Sequence, residues 1–205
     1  QKLLGDWISY SGSILSIDPS GRGKDETGYA VVKMLNGYLY VLECGGIQGG
    51  YRKENLEFLS VVAKRNKVNA VLIESNFGDG MFQELLKPVL YKVYNVSIEE
   101  VRSNIQKERR IIDTLEPVCN QHRLVVNKGI IEHDYKTVKN YSAETQAKYM
   151  LFHQFSRITR DRGALSHDDR LDALGMAVAY WVEQMASDAD QRMRDRKGEL
   201  MDQEL

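Results

Sequence analysis

The chain has 205 residues, of which 42% are hydrophobic and 28% charged, with a formal net charge of −1. That composition fits one ordinary globular domain with a tail. No run approaches the ~18 apolar residues of a membrane span, and no basic-then-apolar leader precedes the first elements. Cys44 and Cys119 lie outside any CxxC pair, which argues against a cysteine zinc site and for two free thiols of an intracellular protein. The start on Gln1, without an initiator Met, reads as a fragment of a longer chain or a tag scar. A net charge near zero does not announce a nucleic-acid binder. An acidic metal pocket beside a basic groove would sum to the same value, so the local distribution decides.

Residues 13–18 predict a strand ending on Asp18, stopped by Pro19 because proline cannot donate to a sheet ladder. Residues 20–28 are a polar, glycine-rich loop. Strands are expected over 29–35 and 38–43, joined at Asn36-Gly37, two positions that tolerate positive φ and suit a hairpin turn. The three strands form an antiparallel meander. Gly45-Gly46 and Gly49-Gly50 read as turns. Leu56, Leu59, Val62 and Ala63 share one face of a helix over 51–66. The run Ala70-Val71-Leu72-Ile73, ending on Glu74, has the form of a central strand buried on both faces.

A helix over 81–90 and a strand over 92–97 follow, then a helix over 105–119 with Ile111, Ile112, Leu115 and Val118 inward. Residues 124–126 read as a short strand, and 130–139 and 145–155 as helices. Leu171, Leu174, Val178 and Trp181 make the apolar stripe of a last helix. Beyond Ala186 acids alternate with arginines, so 1–186 reads as the domain and 187–205 as a polar, flexible tail. The order implies an α/β fold with a mixed central sheet, the meander plus parallel strands, and helices on both faces.

Acidic residues at three places in the chain fall where burial is normally forbidden: Asp18 and Glu74 at strand ends, and Asp168, Asp169 and Asp172 opening the last helix. A buried carboxylate is costly unless it is paired or holds a cation. At ~100° per residue, all three helix acids flank the apolar stripe, and Asp169 and Asp172 can point at a common ion. Carboxylates are hard ligands suited to Mg²⁺ or Mn²⁺. Two such ions ~4 Å apart can activate water and stabilise the leaving oxygen of a phosphodiester. Each element also has a plain reading. Asp18 before Pro19-Ser20 is a turn former, Glu74 marks the exit into a loop, and acids after Ser166 suit a helix N-terminus. The helix dipole does not account for Asp172, which lies deeper beside the stripe.

The motifs Ile17-Asp18-Pro19-Ser20-Gly21, Gly23-Lys24-Asp25-Glu26-Thr27, Leu72-Ile73-Glu74-Ser75-Asn76 and Ser166-His167-Asp168-Asp169-Arg170-Leu171-Asp172-Ala173-Leu174 together resemble the nuclease domain of large terminase subunits. These are the DNA-packaging motors of tailed bacteriophages, and the T7-like group is the nearest likeness, over roughly residues 10–185. The resemblance implies an RNase H-like fold, two divalent ions (Mg²⁺ or Mn²⁺), and cutting of concatemeric viral DNA into genome lengths. It implies that Asp18 bridges the ions, that Glu74 binds one, and that one or two of Asp168, Asp169 and Asp172 complete the site. Related resolvases carry an Asp-x-x-Asp pair before Ala-Leu, which falls on Asp169 and Asp172 and ranks Asp169 first. Asp25 and His167 are candidates to support the ligands from behind, and Asp79 is a weaker one. The partners implied are double-stranded DNA, an N-terminal ATPase domain of the full-length chain, the portal or prohead and the small terminase subunit, in the cytoplasm of the infected host.

Gly21-Arg22-Gly23-Lys24 is followed by Asp25 and opens no helix, so it fails the phosphate-loop pattern and no ATP hydrolysis is expected of this chain. Lysine and arginine neutralise phosphates without reading sequence. Arg157, Arg160, Arg162 and Arg170 lead into the acid cluster and are the preferred DNA contacts. Arg102, Lys107, Arg109 and Arg110 form a second basic group. Two other readings are a free-standing RNase H-like resolvase or ribonuclease, and a portal or capsid docking module with structural carboxylates.

Overall fold

The computed structural model describes residues 8–20, 25–75 and 80–203. The loop motif at 21–24 and the candidate Asp79 lie outside them. Six strands form one sheet in the order β5-β4-β1-β2-β3-β6. They are β1 Gly12–Asp18, β2 Glu26–Leu35, β3 Tyr38–Gln48, β4 Ala70–Glu74, β5 Ser97–Val101 and β6 Leu124–Val126. β1, β2 and β3 are the antiparallel meander, and the Asn36-Gly37 turn has positive φ at both positions, as a two-residue hairpin needs. β4 runs parallel to β1, β5 to β4 and β6 to β3.

Strand alternation divides the core in two. Leu15, Ile17, Val31, Val71 and Ile73 point to one face, under α1 (Lys53–Asn66) and α2 (Met81–Val93). Ile14, Ala30, Val32, Ala70 and Leu72 point to the other, under α3 (Lys107–Asn120) and α7 (Asp169–Gln203). The predicted stripe of Leu171, Leu174, Val178 and Trp181 is buried on this second face. On a pleated strand, residues two apart share a face. Asp18 therefore follows Ile14 and Ser16 toward α7, and Glu74 follows Ala70 and Leu72. The Ser16 hydroxyl fixes that packing by donating to the α7 carbonyl of Ala173 at 2.6 Å.

Several boundaries differ from the sequence expectation. β3 continues through Gly45-Gly46 instead of turning. These glycines make room for neighbours: a Cβ on Gly46 would lie 1.9 Å from a Glu26 carboxylate oxygen, and one on Gly45 would lie 2.9 Å from His133. α2 runs through Pro88 to Val93, so the following strand is Ser97–Val101 rather than 92–97. Its Ser-Ile-Glu-Glu-Val sequence is that of a solvated edge strand. The helix expected over 145–155 is two, α5 (Gln146–Tyr149) and α6 (Leu151–Arg157), separated by extended Met150. They are preceded by α4 (Gly129–Thr137). α7 does not stop at Ala186 but continues as helix to Gln203, with every side chain from 186 to 196 exposed.

Candidate metal centre

β1 and β4 pair in parallel as far as Ile17 and Ile73, so Asp18 and Glu74 emerge side by side at the same sheet edge. The first turn of α7 crosses that edge. A Cβ on Gly28, the residue paired with Asp18, would lie 2.0 Å from the Asp169 carbonyl oxygen, so only glycine permits the approach. The result brings one oxygen from each of Asp18, Glu74 and Asp172 within 4.8 Å of one another. All three side chains are buried, Asp172 almost completely at 1% exposure.

Two cations from α3 lean into the cluster. Lys107 Nζ lies 3.4 Å from Asp18, 3.0 Å from Asp172 and 2.9 Å from Asp168. Arg110 donates to Glu74 at 3.1 Å and to Asp172 at 2.8 Å. Among the described residues, four carboxylates thus meet two cations, and burial together with their mutual repulsion shows in the acidities. Burial, reinforced by Asp172 and Glu74 and opposed by Lys107, holds the Asp18 carboxyl well above the ordinary range. Burial pushes Asp172 up to about 6 despite Lys107 and Arg110. Burial works against the Lys107 charge, but Asp18, Asp172 and Asp168 outweigh it and raise its pKa. An all-oxygen donor set with surplus negative charge fits Mg²⁺ or Mn²⁺ rather than zinc.

Asp169, ranked first from the sequence, stands beside this triad rather than in it. Its Oδ2 is buried with no hydrogen-bond partner among the described residues. Burial first, then Asp168, Asp25 and Glu26 against Lys107, push its carboxyl up to about 7. Asp168 joins the cluster through Lys107. His167 and exposed Asp25 lie 3.5 Å apart at the rim, and the His167 ring stacks on Tyr149, which stacks on Tyr141.

Of the arginines expected to meet DNA, Arg157, Arg160 and Arg162 are exposed. Arg157 borders a cavity of about 300 Å³ with Lys148, His153 and His167, whereas Arg160 is engaged by Asp113 and Glu116 of α3 at 3.0 and 3.2 Å. Arg170 corrects the expectation. It is fully buried, with its guanidinium committed to Glu26 and Asp134, and cannot reach DNA. Lys107 and Arg110, a basic group in the sequence, belong to the site itself. Their place was legible in the spacing, since Lys107 stands four residues before Ile111 and heads the buried stripe of α3.

The family model described as Terminase Bacteriophage T7, Ribonuclease H-like domain, matches residues 17–124. The terminase large subunit of Enterobacteria phage T3 is 49% identical over 180 residues, 88% of this chain and 31% of that protein. The chain thus spans about a third of that relative's length. Among solved structures, the manganese-soaked, inhibitor-bound terminase nuclease domain of human cytomegalovirus superposes with a TM-score of 0.58 at 13% identity, covering 87% of each chain. A variant nuclease domain of the large terminase subunit of bacterial virus Sf6, solved with manganese and beta-thujaplicinol, superposes at 0.57 with 12% identity, over 84% of this chain and 90% of that one. At such identities the likeness establishes the fold alone, a mixed sheet with helices, in keeping with the RNase H-like family model.

Proposed function

Since the chain belongs to the family of T7-type terminase RNase H-like domains, we propose that it is a divalent-metal-dependent endonuclease that cuts concatemeric phage DNA into genome lengths during packaging. The observation that carries this reading is the convergence of Asp18, Glu74 and Asp172 from two strands and a helix, with their oxygens within 4.8 Å.

Bound divalent ions would activate a water and offset charge on the phosphodiester. Asp18, Glu74 and Asp172 would hold these ions, with Asp168 or Asp169 as a further ligand beside Asp18. Lys107, whose side chain is 34% exposed, neutralises the carboxylates and can face a phosphate oxygen when they turn to metal. Asp25 and His167 hold the rim of the site. Arg157 and Arg162 supply sequence-independent phosphate contacts. The substrate is double-stranded DNA. An ATPase domain elsewhere in the full-length subunit, the portal or prohead, the small terminase subunit and the host cytoplasm complete the setting.

Plasmid nicking and linearisation with Mg²⁺ or Mn²⁺ against EDTA tests the reading, alongside Asp18→Asn. Metal-dependent cutting that vanishes in the variant is expected. Cutting that persists in EDTA, or in folded Asp18→Asn, overturns it.

A further inference from the structure

Behind the first turn of α7 lies a second charged cluster. The Arg170 side chain is wholly buried, and so are those of its partners Glu26 and Asp134. Its Nε and Nη2 each donate to a Glu26 carboxylate oxygen at 2.8 Å. Its Nη1 donates to Asp134 at 2.8 Å and to the Thr137 hydroxyl at 3.0 Å. The network is satisfied outward as well. The Tyr141 hydroxyl donates to Glu26. Asp134 accepts the Leu151 and Phe152 N–H groups that open α6, at 2.8 and 3.2 Å. Gln154 of α6 accepts the Leu171 N–H at 3.0 Å. Burial works against the Arg170 charge, but hydrogen bonding to Glu26 and the attraction of Glu26 and Asp134 outweigh it and raise its pKa.

A buried ion pair of this kind is weak as a source of stability, because desolvation offsets most of the attraction, but it can fix register. A guanidinium fork on one carboxylate resists both rotation and sliding of the helix that carries it. At ~100° per residue, Arg170 and Asp172 are ~200° apart and point to opposite sides of α7. Glu26 belongs to β2, the neighbour of β1, so the clamp references α7 to the same sheet that presents Asp18 and Glu74. The strand leaves space for it, since any side chain at Gly46 would overlap Glu26.

We propose that Arg170, held by Glu26 and Asp134, is a positioning residue that sets the rotation of α7 so that Asp172 meets Asp18 and Glu74. This rests on the metal-nuclease reading above. Loss of residues that orient metal ligands typically costs about 10- to 100-fold in metal affinity or activity. The test is Mn²⁺ titration by calorimetry on the full chain, with melting curves and single-turnover cleavage, for wild type, Arg170→Lys, Glu26→Gln, Tyr141→Phe and Asp18→Asn. Tyr141→Phe removes only one outer hydrogen bond and keeps the test open if the others fail to fold.

In folded variants, Mn²⁺ affinity falls about tenfold or more for Glu26→Gln and for Arg170→Lys, whose ammonium lacks the fork, with a smaller loss in Tyr141→Phe. The rate constant at saturating DNA falls while half-saturation by DNA holds. Variants that lose melting temperature but keep wild-type Mn²⁺ affinity and rate constant overturn the positioning role. If Asp18→Asn alone abolishes Mn²⁺ binding, the metal reading then stands without it; a wild type that binds no Mn²⁺ overturns both.

Discussion

The first turn of α7 separates two charged clusters that obey opposite rules. Behind it, one arginine is sealed between two carboxylates, and hydroxyl or backbone donors take up the oxygens that remain. In front of it, Asp18, Glu74, Asp168 and Asp172 share Lys107 and Arg110, both of which keep some exposure. The rear cluster is closed by groups of the protein itself. Among the described residues, the front cluster sets four carboxylates against these two cations, beside a buried Asp169 oxygen with no donor. An excess of buried carboxylates of that kind is costly unless a further cation offsets it. That contrast separates a site from a clamp more sharply than charge content does.

The largest expected effect comes from removing a front carboxylate. Asp172→Asn should abolish metal-dependent plasmid cutting, a loss beyond the ~100-fold typical of supporting residues. In EDTA the same variant should melt higher than wild type, because burial and nearby acids oppose its ionised carboxylate. A variant both inactive and less stable without metal would show that the front cluster is structural glue like the rear one.

The contrast was only half legible in the sequence. Asp18 and Glu74 are the ends of alternating strands, and alternation alone sends them to the face of Ile14 and Leu72. The Asp-rich opening of α7 marks the third contributor. Its ranking was not legible, because whether Asp169 or Asp172 points into the triad depends on how α7 is rotated over the sheet. That rotation involves Glu26, 144 residues from Arg170, and Asp134, 36 residues away. Local pattern carries no record of such a pairing, and Arg170 therefore looked like one more cation near the acids. Gly45-Gly46 misled for a related reason. Glycine marks both turns and strand positions crowded by distant side chains.

Proton linkage gives the next effect. Asp172 and Asp169 titrate near 6 and 7 in the folded chain, against an ordinary value of 3.8. A carboxyl raised on folding favours the folded state while protonated, so its stabilisation is full below about 4 and is lost as pH rises through 6 to 7. In EDTA the melting temperature should therefore climb as pH is lowered from 8 toward 5. Metal binds the ionised form, so Mn²⁺ affinity should fall over the same window. A pH-independent melting curve in EDTA would mean that Lys107 and Arg110 already balance the front cluster.

Lys107 offers a smaller and directional test. Its ammonium lies against Asp18, Asp168 and Asp172, the same carboxylates a divalent ion would take. Lys107→Ala should tighten Mn²⁺ binding severalfold while lowering the melting temperature in EDTA, since one of the two cations that the described residues set against the four acids is then gone. Weaker Mn²⁺ binding instead would make the lysine an organiser of the ligands, closer in kind to Arg170.

The smallest effects are expected among the exposed arginines. Arg160 is already engaged by Asp113 and Glu116, and surface pairs of this kind contribute little. Arg157 borders a cavity with Lys148, His153 and His167, next to the residues that open α7. Arg157→Ala should weaken DNA binding evenly across sequences and reduce the salt dependence by about one charge. Arg160→Ala should leave both nearly unchanged, because its charge is already partnered within the protein. Fluorescence anisotropy with a short duplex, in Ca²⁺ to limit cleavage and at several salt concentrations, separates them. Equal losses from the two would mean that the surface acids release Arg160 when DNA arrives, and an arginine's partners in the free protein would then not predict its role on DNA.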